Sequence, residues 1–189
     1  MSRFHKLGER EVWRGSVVWA GVGRHVAPDG TEFERDVVHH PGAVSVVPVL
    51  DGGGAVLLVR QYRSAVDRDL LEIPAGKRDV DGEAPDVTAG RELEEEVGMR
   101  AGRLEKLAEF YNSPGFCDER SHVFMGLDLA PCDTSFQGVE ERHMTIERVS
   151  MADIPALISS GAIVDAKTII GVCLARQALT GGLSPLPSK

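Results

Sequence analysis

One segment constrains this chain more than any other: residues 85–97, PDVTAGRELEEEV. At 3.6 residues per turn, Glu92, Glu95 and Glu96 share one helical face, spaced i, i+3, i+4. Ala89, Leu93 and Val97 form an adjacent apolar stripe that can dock on a sheet. The pattern predicts a helix over 85–97, with Pro85 in its first turn and Gly98 at its C-terminal cap. One side is dry and the other is crowded with carboxylates. Glu92 and Glu96 repel each other at i, i+4, and Arg91 facing Glu95 offsets only part of that. A hard divalent cation would convert the repulsion into coordination, because Mg²⁺ prefers carboxylate oxygens and keeps waters for substrate phosphates. Two such ions could clamp a phosphate and activate a water. A solvated acidic face is the rival reading of the glutamates alone.

The rest of the chain supplies a sheet for that helix. Residues 43–50 and 55–59 are apolar runs joined by Asp51-Gly52-Gly53-Gly54, a hairpin turn. A short strand over 70–73 ends at Pro74, and a loop rich in Gly and charge runs over 75–84. Further strands are expected at 104–111, 121–129 and 144–149, with a turn-rich stretch at 112–119. Helices are expected at 151–160 and 165–179. The first forty residues read as strands at 12–22 and 34–39, with a turn at Pro28-Asp29-Gly30. Strands and helices mix without regular βαβ alternation, which points to an α+β fold built as an α/β/α sandwich with a mixed sheet. The expected organisation is an N-terminal strand segment over 1–40, a main domain over 41–182 and a disordered tail over 183–189.

Length and charge narrow the function classes. The chain has 189 residues, 42% of them hydrophobic and 26% charged, which suits one ordinary globular domain with a small appendage. A net charge of −8 disfavours general nucleic-acid binding, so a phosphate-bearing substrate needs a cation or local arginines. The three cysteines, Cys117, Cys132 and Cys173, give neither a disulfide framework nor zinc spacing. No apolar leader or bilayer-length run is present, so a soluble, cytoplasmic protein is expected.

The stretch over 76–99, GKRDVDGEAPDVTAGRELEEEVGM, resembles the Nudix box: Gly76, Glu83, Arg91-Glu92-Leu93, Glu95-Glu96 and Gly98-Met99. Six residues separate Gly76 from Glu83 where the usual box has five. The extra residue lies before the helix, so the glutamate register is untouched and Glu83 reads as a structural acid near the helix start. Leu71-Glu72-Ile73-Pro74-Ala75-Gly76, Gln61-Tyr62-Arg63, Ser113-Pro114-Gly115-Phe116-Cys117-Asp118-Glu119 and Gly161-Ala162-Ile163-Val164-Asp165-Ala166 extend the resemblance to the ADP-ribose pyrophosphatase branch.

That resemblance implies a site. Metal would be held by the carbonyl of Ala75 and by Glu92 and Glu96, with Glu95 as a further ligand or partner. A late-loop acid would act on the attacking water; Glu140 and Glu141 are rivals, Glu141 is favoured, and it joins the metal set. Arg63 would contact the diphosphate or ribose, with Glu72 also in the substrate-binding set. Glu119 would bind a substrate hydroxyl, and Pro114 and Gly115 would shape that loop. Swapped N-terminal strands in a homodimer would bring Trp19 to the base and Arg35 to the phosphates or base. Packing is an equal reading for Trp13 and Trp19. His39, His40 and His143 read as ordinary packing or surface histidines.

The activity implied is Mg²⁺-dependent (Mn²⁺ possible) hydrolysis of ADP-ribose to AMP and ribose 5-phosphate, by water attack on one phosphorus. The alternatives are GDP-mannose, ADP-glucose or dinucleotides as substrate, or a Nudix-fold module that senses a metabolite without cleaving it. Retention of Glu92, Glu95 and Glu96 speaks against the sensing module.

Overall fold

The computed structural model describes residues 3–134, 138–184 and 186. Of the tail expected over 183–189, Pro185 and residues 187–189 lie outside the described residues. The chain forms two compact units: Met1–Gly42 with Phe110–Arg120, and Ala43–Glu109 with Ser121–Lys189.

The first unit carries a three-stranded antiparallel sheet of β1 (His5–Arg14), β2 (Trp19–Val26) and β3 (Glu32–His39), in that order. The single strand expected over 12–22 is instead a hairpin. Gly15 N–H donates to the Val18 carbonyl at 2.9 Å and folds the chain back, so Arg14 pairs with Trp19. Arg14-Gly15-Ser16 mark that break in the sequence, a turn signal only three residues long between two β-branched and aromatic runs. The stretch 110–120 joins this unit through backbone. Val38 N–H donates to the Phe116 carbonyl at 2.7 Å, and Asp118 N–H donates to the Val38 carbonyl at 3.1 Å.

The second unit contains β4 (Ala43–Leu50), β5 (Ala55–Arg63), β6 (Arg68–Glu72), β7 (Ala75–Lys77), α1 (Pro85–Val97), most of β8 (Met99–Tyr111) and β9 (Arg120–Pro131), β10 (Thr145–Ser150), α2 (Ile154–Ser159) and α3 (Ala166–Leu179). The sheet order is β10-β5-β4-β9-β8, with β6 on β5 and β7 on β4. β4 runs parallel to β9 and antiparallel to β5 and β7, so the sheet is mixed. The strand β7 falls inside the stretch expected to be loop; Gly76 pairs with Val44 there, and a Gly-rich sequence hides a strand of three residues.

β4 fixes the layers. Its near-continuous apolar sequence is buried along both faces, as a central strand requires. Val44 and Val46 pack with Ala89, Leu93 and Val97 of α1 and with Leu57, Val59 and Phe124. Val47 points the other way. It lies against Gly171 of α3, where an added Cβ would come within 3.0 Å of Val47 and Ile73. Helices therefore cover opposite faces of the sheet, giving the expected α/β/α sandwich. Each fully buried Val or Leu contributes about 1.5–3 kcal/mol relative to exposure. Among the described residues no helix is long and apolar enough to cross a membrane.

Candidate active site

Helix α1 begins and ends where its sequence dictates. Pro85 occupies the first turn, and Gly98 terminates the helix at φ 66°, its N–H donating to the Glu94 carbonyl at 3.0 Å. That left-handed conformation suits glycine. With the apolar stripe docked on β4, the glutamate face meets β7. Glu96 is 4% exposed, and its Oε2 accepts the Ala75 N–H at 3.0 Å. Glu92 lies directly against Gly76: an added Cβ there would fall 1.9 Å from the Glu92 carboxyl carbon. Glycine at 76 thus makes the space that this carboxylate fills.

The electrostatics of these acids are strained. Burial pushes Glu96 up to about 8, opposed by the Ala75 N–H and reinforced by Glu92 and Glu141. Burial likewise pushes Glu92 up to about 7, opposed by Arg91 and reinforced by Glu95 and Glu141. Of the two late-loop acids, Glu141 is thus the one whose charge bears on both helix carboxylates. It opens a short 3₁₀ turn, Glu141–His143, and Glu140 precedes that turn. Arg91 ties the cluster together, with Nη1 at 3.0 Å from Glu92 and 3.1 Å from Glu95. Its Nη2 stands 3.7 Å from Glu83, which fits a structural place for that acid.

Sequence reasoning placed Arg63 and Glu72 in the site separately; the fold joins them. Arg63 Nε and Nη2 donate to the two Glu72 oxygens at 2.8 and 2.6 Å. Glu72 is 1% exposed, and Lys167 of α3 also bonds its Oε2. Burial works to raise the Glu72 pKa, but Arg63 and Lys167 outweigh it and hold the carboxyl below its ordinary value. Lys167 was not singled out from sequence, although a cation in the first turn of a helix, where the dipole disfavours it, is a visible anomaly.

The remaining candidates lie in the first unit. Trp19 stacks on His39, with ring centroids 3.9 Å apart at 18°, and the Arg14 guanidinium lies 5.3 Å from the Trp19 centroid. Arg35 sits over Phe33 at 4.7 Å and donates to the Glu34 carbonyl. Glu119 Oε1 is 3.9 Å from His40 Nδ1, and Pro114 and Gly115 lie in the turn whose Ser113 carbonyl accepts from Phe116 and Cys117. His39 is more than a packing residue. Its Nδ1 meets Asp118 at 2.6 Å and its Nε2 meets Glu9 at 2.8 Å.

The NUDIX domain model matches residues 39–169. The chain belongs to the Nudix family. It is 37% identical to an ADP-ribose pyrophosphatase of Bacillus subtilis over 166 residues, covering 88% of this chain and 89% of that protein. It is 38% identical to an ADP-ribose pyrophosphatase of Mycobacterium tuberculosis over 160 residues, covering 85% and 77%. A crystal structure of an ADP compounds hydrolase superposes with a TM-score of 0.84 at 22% identity, covering 96% of each chain, so the two share a fold along nearly their whole length.

Nudix hydrolases generally use divalent metal ions, and the acids of this Nudix box suit one. Burial and mutual repulsion hold these two carboxylates at about 7 and about 8 even with Arg91 beside Glu92, and a cation bound by oxygen ligands would supply the further countercharge. Among the described residues no three His, Cys, Asp or Glu side chains already converge on one point. Arg91 is engaged with Glu92 and Glu95 instead.

Proposed function

We propose that this chain is a Mg²⁺-dependent Nudix diphosphohydrolase that cleaves ADP-ribose to AMP and ribose 5-phosphate. The observation that carries the reading is the buried carboxylate cluster of Glu92 and Glu96, seated on Ala75 and Gly76 and faced by Glu141. Relatives named ADP-ribose pyrophosphatase, aligned along most of the chain, support the substrate. Glu92, Glu95, Glu96 and the Ala75 carbonyl would hold Mg²⁺, with Glu141 completing the set. The bound cation supplies charge neutralisation at the diphosphate and acidifies a water. Glu141, preferred over Glu140, accepts the proton of the attacking water. Arg63 keeps one edge of its guanidinium on Glu72 and offers the other to diphosphate oxygens.

The chain acts in the cytoplasm as a homodimer with swapped N-terminal strands over 1–40. Phe4, Leu7, Val12, Trp13 and Val17 are exposed and apolar, which supports a partner surface there. In that dimer Trp19 would stack on the base, Arg35 would reach the phosphates or base, and Glu119, with Pro114 and Gly115 shaping its loop, would take a ribose hydroxyl. The deciding experiment incubates the protein and Mg²⁺ with ADP-ribose, GDP-mannose, ADP-glucose and a dinucleoside diphosphate, and resolves products by chromatography. AMP from ADP-ribose as the fastest reaction is expected; a faster release of GMP from GDP-mannose would overturn the substrate.

A further inference from the structure

Lys167 is the second residue of α3, where the helix dipole disfavours a cation. It is nonetheless largely buried, with Nζ bonded to Glu72 and 3.0 Å from Asp165. Asp165 caps the same helix, accepting from Thr168 N–H at 2.9 Å and Thr168 Oγ1 at 2.6 Å. Thr168 Oγ1 in turn accepts the Ile73 N–H at 2.9 Å. The start of α3 is therefore fastened to Glu72 and Ile73, directly before Ala75 and the Glu96 contact.

Counting charge explains what Lys167 does. A lone Arg63–Glu72 pair would be neutral, and Asp165 beside it would make the group negative, which repels an anionic substrate. With Lys167 present the four charges balance. Glu72 then grips Arg63 side-on through Nε and Nη2, and the N–H groups on the other edge of the guanidinium are not needed for that grip. We propose that Lys167 is a positioning residue: by sharing the Glu72 carboxylate it holds Arg63 in one orientation with its charge available to a diphosphate. This rests on the reading of Arg63 as a diphosphate contact. Arg63, Lys167, Asp165 and, through its charge on Arg63, Glu96 are the ionisable groups facing this network.

The test compares wild type, Lys167→Met, Lys167→Gln and Lys167→Arg by ADP-ribose kinetics with Mg²⁺, and by ¹³C-carboxylate NMR titration of Glu72 in metal-free protein. A contact made equally in ground and transition states appears in KM, so the Met and Gln variants should raise KM about tenfold or more with kcat within about threefold. Lys167→Arg should restore KM. The Glu72 midpoint should rise in the Met and Gln variants and not in the Arg variant. Gln can still donate a hydrogen bond without charge, so wild-type KM in Lys167→Gln overturns the proposal even if Lys167→Met does not fold. An unmoved Glu72 midpoint, or a fall in kcat with KM unchanged, overturns it as well. Absence of ADP-ribose turnover in the wild type would instead sink the substrate reading; the Glu72 titration then decides by itself whether Lys167 governs this carboxylate.

Discussion

Glu96 and Gly76 show how much a single side chain decides here. Glu96 combines near-complete burial with repulsion from Glu92 and Glu141, which the Ala75 N–H and the Arg63 charge only partly offset, so a cation would add to what stabilises its charge. Glu96→Gln keeps the shape and removes the charge; kcat with ADP-ribose is expected to fall by about 10²–10⁴ while the folded state persists. Turnover within a few-fold of wild type would remove Glu96 from the chemistry. Gly76→Ala tests the seat of Glu92, since the new Cβ would occupy the place of its carboxyl group. Loss of Mg²⁺ affinity measured by titration calorimetry is expected, and unchanged affinity would show that Glu92 can bind from elsewhere. The glutamates were legible in sequence because helical spacing alone puts them on one face. The Arg63–Glu72–Lys167 network was not, since Lys167 and Glu72 lie 95 residues apart and only the packing of α3 on the sheet brings them together.

Helix α1 was legible residue for residue, because proline and glycine punctuate it and its stripe has period 3.6. Strand β4 was equally plain from its β-branched run. The β1–β2 hairpin was less plain: Arg14-Gly15-Ser16 is a brief interruption between two similar runs, and the register is set by pairing. The same distinction governs stability. Leu93 is fully buried between helix and sheet, so Leu93→Ala should cost about 2–5 kcal/mol in denaturant unfolding. In the first unit, His39 joins β1, β3 and the 110–120 stretch through two carboxylates. Neither carboxylate can donate a proton when ionised, so both bonds require the imidazolium. Burial lowers the His39 pKa, and the bonds to Glu9 and Asp118 more than reverse this, leaving it raised. The clasp is therefore at full strength below the usual 6.5 and fades as pH rises through the raised value. Protection from hydrogen exchange at Val38 and Asp118, taken relative to the intrinsic base-catalysed rate at each pH, should fall over that interval in wild type, and His39→Gln should leave it low on both sides of the interval.

For the molecule as a whole, metal and protons should compete. Glu92 and Glu96 carry folded-state values of about 7 and about 8 against an ordinary 4.5, so the metal-free folded chain binds protons more tightly than the unfolded one. Their contribution is complete below 4.5 and is lost as pH climbs through 7 and 8. The melting temperature of metal-free protein should drop across that range, and millimolar Mg²⁺ should restore more of it at pH 8.5 than at pH 6. Saturation to about 100 times Kd corresponds to about 2.7 kcal/mol. A Mg²⁺ shift independent of pH would separate the ion from these carboxylates. The division into units has a temporal corollary. Asp118 follows His39 by 79 positions, so on the ribosome the first unit must wait for its last segment. At ordinary elongation speeds that delay is about 4–16 s, during which the backbone groups of Val38 are without their partners at Phe116 and Asp118.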